Sequence, residues 1–154
     1  MKKMRIFLLL ALTLVLVSAT LMSASAASSS VPFKAYIKTY PNIVAIEPDR
    51  LVVEIPGEGF ATHLGKTSWF SDMQAYFNGD QTGTMEFTAA NGDQLFGKYK
   101  GVWSGDPAEA VEFEGRIKIT GGTGRFEGVK GTGTYKGTAG ASSGDLYFEG
   151  MLSK

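Results

Sequence analysis

Residues 111–119 read Val111-Glu112-Phe113-Glu114-Gly115-Arg116-Ile117-Lys118-Ile119, apolar or small at every odd position and charged at every even one. Alternation of this kind is useful only to a strand with one dry and one wet face, because successive side chains point to opposite sides of a sheet. It predicts Val111, Phe113, Ile117 and Ile119 buried, with Glu112, Glu114, Arg116 and Lys118 in solvent. Thr84 to Ala89 repeats the pattern, and Asp145 to Gly150 does so less cleanly. No stretch after residue 30 sustains a 3.6-residue period for more than about two turns, so helices are not expected.

Turn signals separate the alternating runs. Asn91-Gly92 before Asp93 predicts a two-residue type I′ hairpin loop, flanked by Ala90 and Asp93, in which both central residues take left-handed backbone angles. Asn78-Gly79-Asp80, Ser104 to Pro107, Gly121 to Gly124 and Gly140 to Gly144 mark further breaks. Between them lie about eight strands, at 33–40, 43–55 (broken at Pro48), 60–70, 83–90, 94–103, 110–120, 129–138 and 145–152. Glycines 97, 101, 115, 131, 133 and 150 sit inside strands on the apolar side. Glycine there weakens a strand unless the sheet bends sharply or another group comes close, which favours an all-β, single eight-stranded antiparallel β-barrel over a two-layer sandwich with glycines at bulges. Closure also removes sheet edges that promote aggregation.

The first 26 residues follow another logic. Lys2, Lys3 and Arg5 precede an apolar run from Ile6 to Val17, followed by a small-residue segment containing Ala24-Ser25-Ala26. This is the layout of a secretory signal peptide, with cleavage expected after Ala26 or, as the alternative, Ala27. The apolar run is short for a membrane span and no cations follow it, so stable membrane insertion is not expected. The domain reading is a signal peptide at 1–26, a short flexible start at 27–32 and the barrel at 33–154. The protein is expected to be secreted, to the periplasm or beyond.

Composition narrows the function. Three of the 15 cations and none of the 15 acids fall in the leader, so the remaining chain carries a net charge of −3. A nucleic-acid partner would need a basic patch to displace counterions, and this acidic balance disfavours one, so no nucleic acid is expected. With no cysteine there are no disulfides and no lipid-modified N-terminal Cys, yet a chain of this size buries an adequate core without them.

Three segments, Ala61-Thr62-His63-Leu64-Gly65, Phe87 to Asp93 and Ile119 to Gly128, together resemble a group of small exported bacterial proteins. The last segment is similar to the glycine-rich stretch of plant dirigent proteins and allene oxide cyclases. That resemblance implies an eight-stranded antiparallel barrel with a mostly apolar lumen, which the plant proteins use to fold a reactive intermediate into one stereochemical outcome. Their catalytic residues match no positions here.

The glycine-rich stretch is not a phosphate loop. Glu127 stands where G-x-G-x-x-G needs glycine, and strands rather than a helix flank it. It is expected to connect two strands, with Phe126 folded back as a plug on one barrel end. His63, the lone histidine, rules out a multi-histidine metal site, and no D-x-D-x-D-G series is present, so no metal and no cofactor are expected. Glu86, Glu112, Glu114 and Glu149 lie on the polar side of their strands, which leaves no inward carboxylate for acid–base chemistry.

The residues expected to contact a ligand are Phe87, Phe113, Tyr135 and Phe148, on apolar faces, with His63 or Tyr135 as the polar handle. Small inward residues, Gly131 and Gly133, are expected to leave space around Tyr135. Three readings follow: a secreted barrel binding a small apolar ligand, a cyclase or isomerase acting by confinement, and a non-catalytic extracellular interaction protein, self-association included. The lumen decides among them. A cavity above roughly 300 Å³ supports binding or confinement, whereas packing to interior density leaves the interaction reading.

Overall fold

The computed structural model describes residues 29–154; the expected signal peptide, with its cleavage site, lies outside them. Nine strands form one sheet: β1 (Ser30–Thr39), β2 (Asn42–Ile46), β3 (Arg50–Ala61), β4 (Gly65–Tyr76), β5 (Asp80–Ala89), β6 (Gln94–Asp106), β7 (Ala110–Gly122), β8 (Lys130–Gly140) and β9 (Gly144–Ser153). All pairings are antiparallel. From β3 to β9 each strand pairs with the next, β9 pairs with β1, and β1 closes onto β3 from Ala35↔Ala61 to Thr39↔Gly57. The result is a closed eight-stranded barrel plus one extra strand, β2, which continues along the β3 edge beyond β1.

Three boundaries differ from the sequence reading. Residues 30–32, expected to be a flexible start, are already paired with β9. The run at 60–70 is not one strand, because β3 ends at Ala61 and the chain reverses through Thr62-His63-Leu64 before β4. His63 takes φ +67°, the one positive value at a non-glycine among the described residues, and the Leu64 amide closes the turn onto the Ala61 carbonyl at 3.2 Å. The Asn91-Gly92 hairpin is present, but only Gly92 is left-handed, at φ +87°. The Gly92 amide donates to the Ala89 carbonyl and the Ala89 amide to the Asp93 carbonyl, both at 2.9 Å. That pairing is a three-residue loop, a type I turn completed by a left-handed glycine, rather than type I′. The Asn91 side chain instead accepts from the Asp93 amide at 3.2 Å, a local bond that favours the turn without a positive φ.

Inward glycines stand where strands approach closely. At the Gly101↔Gly115 pair, a Cβ on Gly101 would lie 2.0 Å from the Glu114 carbonyl oxygen. At Gly133↔Gly150, a Cβ on Gly133 would lie 2.3 Å from the Glu149 carbonyl oxygen. These pairs permit the sharp coiling that closes a small barrel.

Closure gives the barrel two unlike ends. At one, the connections β3–β4, β5–β6 and β7–β8 meet the start of β1 and the end of β9. Leu64, Leu95, Val129 and Leu152 are buried there, and Phe126, 5% exposed, plugs the end as expected. At the other end, where β4–β5, β6–β7 and β8–β9 connect, inward residues Leu51, Met73, Val111 and Phe113 are only partly buried. Val111 and Phe113 thus point inward as the alternation requires, yet they are less covered than expected, since they lie beside the cavity at this end.

The barrel does not abolish every edge. Among the described residues β2 pairs only with β3, and Ile43, Val44 and Ile46 are about half or more exposed. The edge is shortened by Pro41 and Pro48 and broken by a register shift at Val44, devices that discourage pairing with another strand.

Candidate functional site

An apolar cavity of about 140 Å³ opens at the uncapped end. Its wall is supplied by the inward residues of β3 to β9 near that end, among them Val53, Ile55, Trp69, Met73, Tyr99, Trp103, Phe113, Tyr135, Leu146 and Phe148, with Ile43 of β2 at the rim. The lumen is otherwise filled. Phe87, fully buried, packs edge-on against Phe33 at 5.5 Å and Phe148 at 5.1 Å between ring centres. Tyr99 and Tyr135 meet edge-to-face at 5.1 Å. Such contacts add to the burial of the rings themselves.

The glycines help the rings fill the lumen rather than leave room. Cβ atoms on Gly101 and Gly115 would fall 2.4 Å and 2.7 Å from the Tyr135 ring or hydroxyl, and one on Gly137 would fall 2.7 Å from Phe113. The space beside Tyr135 therefore comes from Gly101 and Gly115, not from Gly131 and Gly133, and the tyrosine ring itself occupies it.

Polar groups in the interior are few and mostly paired. Gln81 Nε2 donates to the Tyr135 hydroxyl at 2.8 Å and reaches the Val102 carbonyl at 3.4 Å. The Tyr99 and Ser71 hydroxyls share a hydrogen bond of 2.8 Å. Burial pushes the Tyr99 phenol up to about 12, partly offset by the bond to Ser71, and burial raises Tyr135 likewise. Both are neutral phenols at physiological pH. Trp103 Nε1 donates to the Tyr76 carbonyl at 3.0 Å, whereas Trp69 Nε1 is buried with no partner.

Of the residues expected to contact a ligand, Phe113, Tyr135 and Phe148 line the cavity. Phe87 lies behind Phe148 in the packed core. His63 sits outside the lumen, exposed, in the β3–β4 turn at the plugged end, where its Nε2–H donates to the Pro32 carbonyl at 2.9 Å. It is not the polar handle of this cavity. Glu112, Glu114 and Glu149 are exposed, and no carboxylate, histidine or cation lines the cavity among the described residues.

Four buried polar residues, Thr39, Thr67, Ser71 and Gln81, were not anticipated, and the last two show how they could have been. Their signal is a polar residue in phase with apolar ones: Gln81 with Gly83, Met85 and Phe87, and Ser71 with Thr67, Trp69, Met73 and Ala75. In β4 the phase is masked, since Phe70 faces outward and is 41% exposed. A larger hollow of about 1580 Å³ lies across the outer face, bordered by Lys34, Tyr36, Lys100, Glu114, Arg116 and Lys136. Exposed side chains of both charge signs border most of this wide, open hollow, though it also reaches the buried Gln81, Tyr135 and Phe148. The smaller apolar cavity is the better ligand site.

Fold and site together define a closed β-barrel with one open, aromatic-lined end. Compared with protein-family models, curated proteins and solved structures, the chain matches none.

Proposed function

We propose that this is an exported β-barrel protein that binds a small, largely apolar molecule at the open end of its lumen. The observation that carries the reading is the cavity: apolar walls, no ionisable group other than two neutral tyrosines among the described residues, and an uncovered mouth. Its volume of about 140 Å³ is below the roughly 300 Å³ of a pocket for a drug-sized ligand. It is close to the volume of about 150 Å³ at which a dry apolar cavity takes up benzene. The occupant is therefore one ring, or one end of a longer chain whose remainder projects through the mouth. The cationic, apolar and small-residue layout of residues 1–26 supports export.

Toluene titrated into the purified protein tests the reading. Binding that Ala139→Phe abolishes, by placing a ring in the cavity wall, and that Glu114→Ala leaves intact, supports it. Toluene binding equally well to Ala139→Phe contradicts it. Confinement catalysis is the weaker reading, since only tyrosine hydroxyls are available there to move a proton. The interaction reading is favoured by one feature, the apolar β2 edge with Ile43, Val44 and Ile46 in solvent.

A further inference from the structure

Among the described residues, two buried side-chain polar atoms lack a hydrogen-bond partner, Arg50 Nε and Trp69 Nε1. Arg50 has other company: its guanidinium pairs with Glu47 at 2.5 Å and lies over the Tyr76 ring. Trp69 has none. The residue is 4% exposed, it lines the cavity, and an indole N–H can only donate. A donor buried without an acceptor costs more than an ordinary hydrogen bond returns. Trp69 shares the cavity wall with the apolar Val53, Ile55, Leu146 and Phe148 and with the polar Thr39, Gln81, Tyr99 and Tyr135, and no hydrogen bond joins its N–H to any of them.

Other interior polar groups also offer hydrogens, beside the acceptor-capable Thr39 hydroxyl and Gln81 amide oxygen of the same wall. The Tyr135 hydroxyl accepts from Gln81 and keeps its own hydrogen free, while Tyr99 and Ser71 bring two hydrogens to one shared bond. We infer that Trp69 Nε1–H is the polar handle of the cavity and that the ligand is an apolar molecule presenting an acceptor oxygen, of the carbonyl or ether kind, with no charge. A cationic ligand would meet no counter-charge in this wall, and an anionic one would find no cation. The inference rests on the proposed lumen binding and goes beyond it by specifying the ligand's chemistry.

Acetophenone and cumene, alike in shape but differing in the carbonyl, separate the two claims. The chain has two tryptophans, so the proton–nitrogen spectrum of the purified protein carries two indole resonances. Trp103, already bonded to the Tyr76 carbonyl, serves as the internal reference. Acetophenone is expected to move the Trp69 resonance downfield as it accepts the bond, and cumene to bind without doing so. Trp69→Phe is expected to weaken acetophenone about five- to tenfold while leaving cumene nearly unchanged, the loss of one hydrogen bond. If both probes bind, neither moves the Trp69 resonance downfield and Trp69→Phe affects them alike, the handle is overturned while lumen binding stands. If neither probe binds, lumen binding itself is overturned and the inference with it. The spectrum of the unmodified protein decides the matter even if Trp69→Phe fails to fold.

Discussion

Phe87, Phe148 and Phe113 have the same side chain and the same inward direction, and they are held to different degrees. Phe87 and Phe148 are buried between other rings, so either replacement by Ala is expected to cost about 3–5 kcal/mol in a urea melt. Phe113 is only partly buried at the open end, and its truncation is expected to cost less than either, since transfer scales with area removed from water. Glu114→Ala should stay within about 0.5 kcal/mol of neutral. Equal losses for the three phenylalanines would contradict the open end. The buried tyrosines set a second expectation. Tyr99 ionises near 12 when folded against 10.0 as a free phenol, so the folded protein keeps a proton that the unfolded chain releases. Its contribution is complete below pH 10 and disappears as pH rises through 12, on the order of 2–3 kcal/mol. Tyr99→Phe should flatten that alkaline fall; an unchanged slope would mean that Tyr99 is not the group responsible. At this scale the parity of Phe113 was legible in the chain. Its partial exposure was not, because that depends on which barrel end the loops leave open.

Two glycines separate the local from the non-local demands of the strands and turns. Gly92 is left-handed with no atom near a prospective Cβ, so Gly92→Val should cost about 1–2 kcal/mol purely through the backbone. Gly101 has ordinary angles, but its Cβ would strike the neighbouring strand. Gly101→Ala, though the smaller change, should therefore lower the denaturation midpoint at least as far. The reverse order would argue against close strand approach at the Gly101↔Gly115 pair. Gly133→Phe, for the same reason, should disrupt β8–β9 pairing rather than fill the lumen. The β7 strand and the Asn91-Gly92 hairpin were legible because alternation and turn chemistry are local. The Thr62-His63-Leu64 turn was missed because no Asn-Gly or proline marks it. The second half of β4 was missed because an outward Phe70 and an inward Ser71 invert the hydrophobic signal that alternation relies on. The separation of β2 from β3 was visible as the break at Pro48. That β2 would be left outside the closed barrel follows from β1 taking the rest of the β3 edge, a long-range pairing no local pattern encodes.

The whole molecule is a barrel with a plug at one end and an opening at the other, and the proposed function depends on that asymmetry. The plug was legible in Phe126, an isolated aromatic within a glycine-rich connection. The opening was not, since how tightly the connections pack at each barrel end is set by long-range contacts that no local pattern encodes. Export makes its own expectation: the intact mass of the protein recovered outside the cytoplasm should lack residues 1–26, and retention of Met1 would contradict it. The most direct test of ligand binding is a backbone and side-chain chemical-shift titration of the purified protein with acetophenone. The account predicts saturable shifts concentrated at Trp69, Phe113, Tyr135 and Leu146 around the open end, with His63 and Phe126 at the plugged end undisturbed. Shifts confined to the plugged end or the outer face, or none up to high micromolar probe, would contradict it.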